Sequence, residues 1–386
     1  MVKLSRTLLL LSLVSLFTDM ASEMLYPVMP IYLEYIGFSA LGIGILEGIA
    51  QAVAGLSKGY FGKWSDHSLR RVPFVQWGYL ISALSKPLLA VWTAPLWVLF
   101  TRTADRLGKG IRTGARDALL SSAATQQTRA RVFGFHRGMD TLGAAIGPAI
   151  ALLFLWLYPE SYRILFLLAL FPGLLAVLAT LWLREPEIAL PKKERPGLLS
   201  FLQYIPQSSH AYRRLLWGLL AFALINSSDL FLLLLMKQRA LSDTMLIGLY
   251  IFYNLVYALA AYPAGSLADR LGLKRVFTLG LVIFAIVYSG MAVATELWHF
   301  AGLLLLYGLY AAATEGVAKA WISNIAKAGD TATAIGTYDG LRSVATLLAS
   351  TLAGLIWVSL GPDVVFLFSA GATVLVIIYF MLPGHE

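Results

Sequence analysis

Apolar segments of roughly 20 residues recur along the whole chain, and each is long enough as a helix to cross a hydrocarbon core about 30 Å thick. Of the 386 residues, 59% are hydrophobic and only 13% are charged, which leaves too little polar surface for a water-soluble protein. We therefore predict an all-α polytopic membrane protein of about twelve transmembrane helices. The predicted helices cover residues 7–36, 38–62, 72–92, 95–120, 132–157, 161–183, 213–236, 244–266, 275–294, 298–323, 335–358 and 364–382.

Basic residues outside these helices fall mainly on one side of the membrane. They are Lys3, Arg6, Arg70, Arg71, Arg129, Arg131, the basic residues between Arg184 and Arg214, Lys274, Arg275 and Lys327. Because cytoplasmic loops carry the excess of Lys and Arg, we expect this side and both termini to be cytoplasmic, in the inner membrane of a bacterium. The net charge of +9 then reflects membrane orientation, and we expect no nucleic-acid partner.

The sequence offers nothing on which an enzyme would depend. There is no cysteine, which excludes thiol catalysis and Cys-ligated metal. Sequence motifs of metalloproteases and thiol oxidoreductases are absent from the chain. We expect no catalytic residues, no cofactor and no resident metal, with lipid, protons and a small-molecule substrate as the partners of a monomer.

A charged phrase occurs once in each half, at the end of the second predicted helix of that half. Gly62-Lys-Trp-Ser-Asp66-His-Ser-Leu-Arg70-Arg71 is repeated, at an offset of 203 residues, by Gly265-Ser-Leu-Ala-Asp269-Arg270-Leu-Gly272-Leu-Lys-Arg275. A second pair, Gly134-Phe-His-Arg137-Gly-Met-Asp140 and Gly336-Thr-Tyr-Asp339-Gly-Leu-Arg342, has an offset of 202 and opposite charges. Such internal repeats are typical of secondary transporters. They predict a six-helix half at 1–183, a cytoplasmic linker at 184–212 and a second six-helix half at 213–386.

Both charged phrases resemble the signature Gly-x-x-x-Asp-Arg-x-Gly-Arg-Arg of the major facilitator superfamily, which connects the second and third helices of each half. The second copy follows the signature closely, whereas the first has His67 for Arg and Leu69 for Gly. The resemblance implies that each motif carboxylate rests near the first turn of a helix from the other half, Asp66 near Gly336 and Asp269 near Phe133. The implied conformational latch comprises Gly62, Asp66, Arg70, Arg71, Gly265, Asp269, Arg270, Gly272 and Arg275, with Arg137, Asp140, Asp339 and Arg342. Alternatively, these residues only fix a tight connection.

Charged residues inside the membrane concentrate on the fourth predicted helix. Arg102, Asp105, Arg106 and Lys109 share one helical face, and ionised groups at the bilayer centre cost about 2.5–3.5 kcal/mol each. They must therefore line a wet cavity or pair with acids. The first helix presents Asp19, Glu23 and Tyr26 on a face of its own, and in the superfamily both helices line the central cavity. Asp19 and then Glu23 are our candidates for proton coupling, with Arg102 or Arg106 as the expected basic neighbour. Glu47, Lys58 and Lys86 are expected to snorkel or to pair structurally.

The second half carries polar and aromatic side chains with few charges. The candidates for a substrate wall are Asn226, Asp229, Tyr253, Asn254, Tyr257, Tyr307, Tyr310 and Glu315. An ionic wall and an aromatic wall together suit an amphipathic organic solute, although tyrosines also pack helices together. In the fifth helix, Gly143, Gly147 and Pro148 resemble the core of a signature found in proton-coupled antiporters of the superfamily, and Pro148 is expected to kink the helix.

The sequence therefore predicts a proton-coupled secondary transporter that moves a small amphipathic organic solute by alternating access, with export by antiport favoured. Proton-coupled uptake of an organic anion, such as a carboxylate or a siderophore, is the first alternative, because the fourth helix is cationic. A membrane receptor that transports nothing is an alternative of another class.

Overall fold

The computed structural model describes residues 5–185, 196–239, 241–327 and 329–382, and the regular structure in these ranges is helical. Residues 186–195 of the predicted linker lie outside the described residues. Two short helical turns, Ser200–Gln203 and Tyr204–Gln207, lie in the linker, and we number the twelve longer segments of the described residues in chain order. They are α1 (Arg6–Leu25 and Met29–Tyr35), α2 (Ala40–Ser68), α3 (Val72–Leu88), α4 (Pro95–Ser122), α5 (Arg129–Leu157), α6 (Tyr162–Leu168 and Leu170–Thr180), α7 (His210–Ala223 and Leu230–Gln238), α8 (Asp243–Leu271), α9 (Leu273–Val293), α10 (Leu297–Ile325), α11 (Thr331–Leu360) and α12 (Pro362–Met381).

Eight of the twelve segments are long and apolar enough to cross a membrane by length and composition, namely α1, α5, α6 and α8 to α12. The other four segments do not meet this criterion of length and composition, each for a reason that the sequence shows. The α4 segment carries the charged stripe, α3 has 17 residues, and α7 is interrupted. The fourth, α2, contains several polar and charged residues in its second half. The architecture is that of a polytopic membrane protein with about twelve transmembrane helices, as the sequence predicts.

Serine residues begin four of these segments. The side chains of Ser5, Ser39, Ser209 and Ser242 each accept a hydrogen bond from the backbone N–H three residues later, at 3.1 to 3.3 Å. A serine in extended conformation at this position satisfies one of the N–H groups that a helix leaves unbonded, which is worth about 1 kcal/mol. Local sequence therefore determines where α1, α2, α7 and α8 begin.

The α7 segment is broken, although a continuous helix over 213–236 was predicted. Its first piece ends at Ala223 and its second begins at Leu230. The intervening residues include Asn226, Ser227, Ser228 and Asp229, whose short polar side chains compete for backbone hydrogen bonds. The Ser228 N–H donates to the Ser350 hydroxyl at 3.2 Å. The polar run thus ends the helix where hydropathy alone indicates a single span.

The charged phrases are mostly helical. The prediction ended the second helix of each half at residues 62 and 266, whereas α2 continues to Ser68 and α8 to Leu271. Neither phrase contains a glycine or proline between its first residue and its aspartate, so each helix runs on through the carboxylate. The helix then stops at a left-handed residue, Leu69 (φ 55°) in the first copy and Gly272 (φ 100°) in the second. The first copy thus places leucine in a conformation that favours glycine.

The described residues divide by contacts into two compact units. Unit 1 contains residues 1–124, 139–207 and 326–340, and unit 2 contains 125–138, 208–325 and 341–386. The beginning of α5 therefore belongs to unit 2, and the beginning of α11 belongs to unit 1. Division of the sequence into halves at 184–212 stays a prediction.

Each unit has an aromatic core of its own. In unit 1, Tyr32 of α1 packs edge-on against Phe166 of α6 with ring centroids 4.7 Å apart. In unit 2, Phe284 stacks on Tyr288 within α9, with ring centroids 4.0 Å apart. Phe277 meets Phe380 of α12 at 5.3 Å. These contacts hold the helices in place around the charged and polar groups described below.

Candidate functional site

In unit 1, Asp66 holds the first turn of α11. Its carboxylate accepts hydrogen bonds from the backbone N–H of Thr333 at 2.7 Å and from the Thr333 hydroxyl at 2.9 Å. The guanidinium of Arg71 lies 3.1 Å from the other oxygen, and the side chain of Asp66 is only 2% exposed. A carboxylate in this position satisfies a free helix N–H and complements the helix dipole, by up to about 2 kcal/mol when partly buried.

In unit 2, Asp269 holds the first turn of α5 in the same way. Its carboxylate accepts hydrogen bonds from the backbone N–H groups of Ala130 at 3.0 Å and Arg131 at 3.1 Å. The Arg131 side chain adds a third bond of 2.7 Å, and the side chain of Asp269 is 2% exposed. Asp66 and Asp269 therefore bind equivalent helix ends, at residues two or three positions before Gly336 and Phe133, near which the resemblance places them.

Glycines allow the helices to approach at both places. A Cβ atom on Gly62 would meet the carbonyl oxygen of Ala332, and one on Gly336 would meet that of Lys58. In unit 2, Gly265 faces the carbonyl oxygen of Ala130 in the same manner. Small residues let helix backbones come into direct contact, so each carboxylate reaches the helix end. Arg70, Arg270, Gly272 and Arg275 are exposed.

Two further residues of the expected latch, Arg137 and Arg342, lie about two turns farther along α5 and α11, in unit 2. Arg342 donates two hydrogen bonds to Glu315 of α10, at 3.1 and 2.5 Å. Arg137 lies 3.8 Å from the same carboxylate and donates to the Tyr257 hydroxyl at 2.8 Å. Both arginines therefore contact Glu315, which was predicted for the substrate wall. Asp339, the other residue of α11 that was expected in the latch, is buried.

Asp140, also expected in the latch, lies beside the candidate proton site of unit 1. The Ser15 hydroxyl of α1 donates to the Asp140 carboxylate, and Asp19, one turn after Ser15, has Asp140 as a charged neighbour. Lys109 and Glu23 are the other charged neighbours of Asp19. Neighbouring like charges oppose each other's ionisation, so a proton on one of the two carboxyl groups would relieve the repulsion between them.

The charged stripe of α4 is paired inside unit 1. Arg102 donates to Glu47 of α2, and Arg106 lies 3.8 Å from the same carboxylate. Asp105 lies 3.0 Å from the ammonium group of Lys86 on α3. The expectation that Glu47 and Lys86 pair structurally is confirmed. Of the α4 cations predicted for the cavity, Lys109 acts most strongly on Asp19, whereas Arg102 or Arg106 was the expected neighbour.

Gly143 and Gly147 of α5 pack against α1 next to its acids. A Cβ atom on Gly143 would meet the backbone at Leu16 and Met20, and one on Gly147 would meet the backbone at Met20 and Met24. This contact lies on both sides of Asp19 along α1. Helix α5 continues through Pro148 to Leu157, and the predicted kink at Pro148 stays a prediction.

The polar and aromatic candidates of unit 2 form one cluster. The Tyr307 hydroxyl donates to Asp229 at 2.6 Å, and the Asn226 amide donates to the Tyr310 hydroxyl at 3.0 Å. Tyr253 packs on Tyr307 with ring centroids 5.2 Å apart. The break in α7 thus points two polar side chains at the tyrosines of α10.

Asn254 and Tyr26 complete the predicted cavity residues. Asn254 is buried and donates to the carbonyl of Tyr250, one turn earlier in its own helix. Tyr26 follows the first piece of α1 and is 38% exposed.

Sequence reasoning missed Glu185 and Arg131. The carboxylate of Glu185 accepts hydrogen bonds from the backbone N–H groups of Arg71 and Val72, at 2.6 and 2.8 Å, and so holds the start of α3. Arg131 is the side-chain partner of Asp269. Both partners are more than 100 residues away in sequence, so no local spacing could have indicated them.

Comparison with known proteins identifies the family to which this geometry belongs. The family model of the Major Facilitator Superfamily matches residues 11–253 and 230–386. An uncharacterised MFS-type transporter of Methanocaldococcus jannaschii is 30% identical over 374 residues, which cover 95% of this chain and 92% of that protein.

Two solved structures share the fold. The human organic anion transporter MFSD10 (TETRAN) superposes with a TM-score of 0.79 at 18% identity, covering 97% of this chain and 99% of the other. The fucose:proton symporter of Escherichia coli gives a TM-score of 0.77 at 12% identity, covering 97% of both chains. At these identities, the likeness establishes the fold alone.

Proposed function

Because this chain belongs to the Major Facilitator Superfamily, and is thus an integral membrane transporter rather than an enzyme, we propose that it couples protons to the movement of a small amphipathic organic solute. Transport proceeds by alternating access, with export by antiport favoured. The protein works as a monomer in the inner membrane of a bacterium, with both termini in the cytoplasm.

One observation carries the proton-coupling part of this proposal. Asp19 and Asp140 are neighbouring carboxyl groups beside the Ser15 hydroxyl, which donates to Asp140, and Lys109 and Glu23 also act on Asp19. A proton on the pair lowers the negative charge beside Lys109 and Glu23. Loss of that proton leaves an extra negative charge, which changes the electrostatics of the α1, α4 and α5 contact. The pair is thus suited to bind and release one proton in each transport cycle.

The character of the solute follows from the side chains of each unit. Unit 1 contributes carboxylates and cations on α1 and α4, whereas unit 2 contributes the tyrosines around Asp229 and Asn226. Carboxylates and cations suit a charged group, and tyrosines suit an apolar or cationic one, so the side chains of each unit fit part of an amphipathic solute. Export is favoured because Gly143 and Gly147 follow the antiporter pattern and pack on α1 beside Asp19.

Uptake of an organic anion is the second candidate, and the arginines around Glu315 favour it. Arg137 and Arg342 both meet this carboxylate, with side chains 38% and 31% exposed. A carboxylate or siderophore group could exchange with Glu315 for these guanidinium groups, which bind carboxylates well. A receptor without transport would bind solute but show no flux.

Reconstitution into liposomes tests the proposal. The purified protein is placed in vesicles with an imposed pH gradient, and a chemically diverse solute panel is screened with a pH-sensitive dye in the lumen. We expect an amphipathic solute to move protons in the direction opposite to its own. Movement of both in the same direction, with a strong preference for anions, would favour the uptake alternative. Solute binding without any flux would favour the alternative that the protein is a receptor.

The latch proposal gives a separate expected result. Asp66→Asn and Asp269→Asn remove the charge from two buried helix ends, so the first turns of α11 and α5 should detach more often, and the cytoplasmic side should open. The chain contains no cysteine, so single cysteines at Ala334 and Val132, both buried, can report this. We expect faster labelling by a cytoplasmic, membrane-impermeant maleimide.

Asp363→Asn is the matched control, because Asp363 also lies in the first turn of a helix, α12, but is 49% exposed and paired with Arg239. Its labelling rates should equal those of the parent. Equal rates in all variants would show that Asp66 and Asp269 only fix the helix connections.

A further inference from the structure

The break in α7 is lined by buried oxygen atoms that lack hydrogen-bond partners within the part of the chain that the structure describes. They are the side-chain oxygen of Asn226, the hydroxyl of Ser227 and, from α9, the hydroxyl of Tyr288. Ser227 is 4% exposed and Tyr288 is fully buried. Buried polar groups nearly always have a partner, so three unpaired oxygens in one region indicate a water molecule or an ion.

The Asn226 amide is informative in either orientation. Its nitrogen donates to the Tyr310 hydroxyl at 3.0 Å, which leaves the oxygen unpaired. Rotation of the amide by 180° would reverse the two atoms and leave the nitrogen unpaired instead. One polar atom of this side chain therefore needs a ligand in the space beside the break. Ser227 and Tyr288 approach each other there without reaching hydrogen-bond geometry.

Asp229 adds a carboxylate to the same place. Its Oδ1 atom accepts the hydrogen bond from Tyr307, which leaves Oδ2 for another partner. The break also takes residues 224–229 out of the regular helix. The carbonyl groups of Leu220, Phe222 and Ile225 accept hydrogen bonds there, so carbonyl ligands would come from the other residues of the break. Carboxylate, amide, hydroxyl and carbonyl oxygens together make a donor set for a hard cation.

We propose that the break in α7 binds one Na⁺ ion, held by Asp229, Asn226 and Ser227 together with carbonyl oxygens of the interrupted helix. A monovalent ion fits the charge of the site, because Asp229 is its single acidic ligand. Glu315, Arg342 and Arg137 also act on Asp229, and the two arginines oppose a divalent cation. Among the described residues, no group of three or more His, Cys, Asp or Glu side chains is placed to hold a metal.

The ion site is distinct from the proton site of the proposed function. Asp19 and Asp140 belong to unit 1, whereas residues 208–325, which include Asp229, belong to unit 2. Discontinuous helices with exposed carbonyl groups bind Na⁺ in other transporter folds. A Na⁺ ion in α7 would hold the two helix pieces in a fixed relation, and its release would free them to move.

Thermal unfolding of the full chain in detergent tests the site without solute or a pH gradient. At constant pH and ionic strength, replacing choline chloride by NaCl should raise the unfolding midpoint in a saturable manner, because the ion binds only the folded state. Equilibrium dialysis with radioactive Na⁺ should give about one bound ion per chain. Asp229→Asn and Asn226→Ala should each abolish the Na⁺ response, whereas Asn254→Ala, an amide bonded within its own helix, should retain it.

Equal midpoints in NaCl and choline chloride, together with no saturable Na⁺ binding, would overturn the proposal and leave an ordered water at the break. A Na⁺ response that survives in both Asp229→Asn and Asn226→Ala would overturn it as well. If Asp229→Asn fails to fold, Asn226→Ala and the dialysis of the parent protein decide the matter. Because these measurements use no solute, failure of proton coupling would not affect them.

Discussion

Asp19→Asn should abolish accumulation of solute against its gradient while it preserves solute exchange. A pH gradient of one unit supplies about 1.4 kcal/mol for each proton, so a transporter coupled to one proton accumulates solute about tenfold. Asparagine resembles the protonated carboxylic acid in shape and can still bond to Asp140, so the cycle should continue without the proton. In liposomes, counterflow of labelled solute should stay near the parental rate. The tenfold concentration ratio across the membrane should fall to about one.

Asp140→Asn should give the same result, since either acid of this neighbouring pair can hold the proton. Glu34→Gln is the matched control, because Glu34 lies in the second piece of the same helix but is exposed. It should accumulate solute like the parent. Full accumulation by both Asp19→Asn and Asp140→Asn would exclude the pair as the proton site, and Glu23 would be tested next.

The sequence predicts the helices well because membrane helices depend on local composition. Each of the twelve expected segments has a counterpart among α1 to α12, with most ends displaced by a few residues. The prediction failed where a few polar side chains act against hydropathy. In α7, four consecutive polar residues break a helix whose average composition remains apolar. In α2, the helix continues past Gly62 and so brings Asp66 to the first turn of α11.

Charge pairs were predicted less well than helices, for a physical reason. That α4 carries a charged face follows from helical periodicity alone. Which neighbour each charge meets depends on how the helices rotate and pack, and this is set by distant contacts such as Gly143 against α1. The sequence therefore indicated Arg102 or Arg106 as the partner of Asp19, whereas the packing gives it Asp140 and Lys109.

The repeated phrases were the best predictor of residue positions, because duplication adds information that composition lacks. Asp66 and Asp269 occupy equivalent places in the two copies, and both bind the first turn of a helix. The second repeated pair was less informative about contacts. Its sign-reversed charges meet different partners, Arg137 and Arg342 with Glu315 but Asp140 with Ser15.

Lys86→Met should destabilise the protein more than any other single substitution considered for unit 1. Lys86 is 4% exposed and pairs with Asp105 at 3.0 Å. It also donates to the carbonyl of Ser82 at 2.7 Å. Removing one partner of a buried pair leaves an uncompensated charge and typically costs 3–5 kcal/mol. Because Arg102 and Arg106 also act on Asp105, we expect about 3 kcal/mol, at the lower end of that range.

The double variant Lys86→Met/Asp105→Leu separates the pair from the packing around it. An apolar pair of similar volume is often as stable as a buried ion pair, so the double variant should regain most of the free energy of unfolding. Titration with a denaturing detergent measures this, and Lys237→Met, at an exposed lysine of α7, controls for the loss of a positive charge. If the single and double variants were equally unstable, the lysine would act through its bond to Ser82, and the ion pair with Asp105 would contribute little.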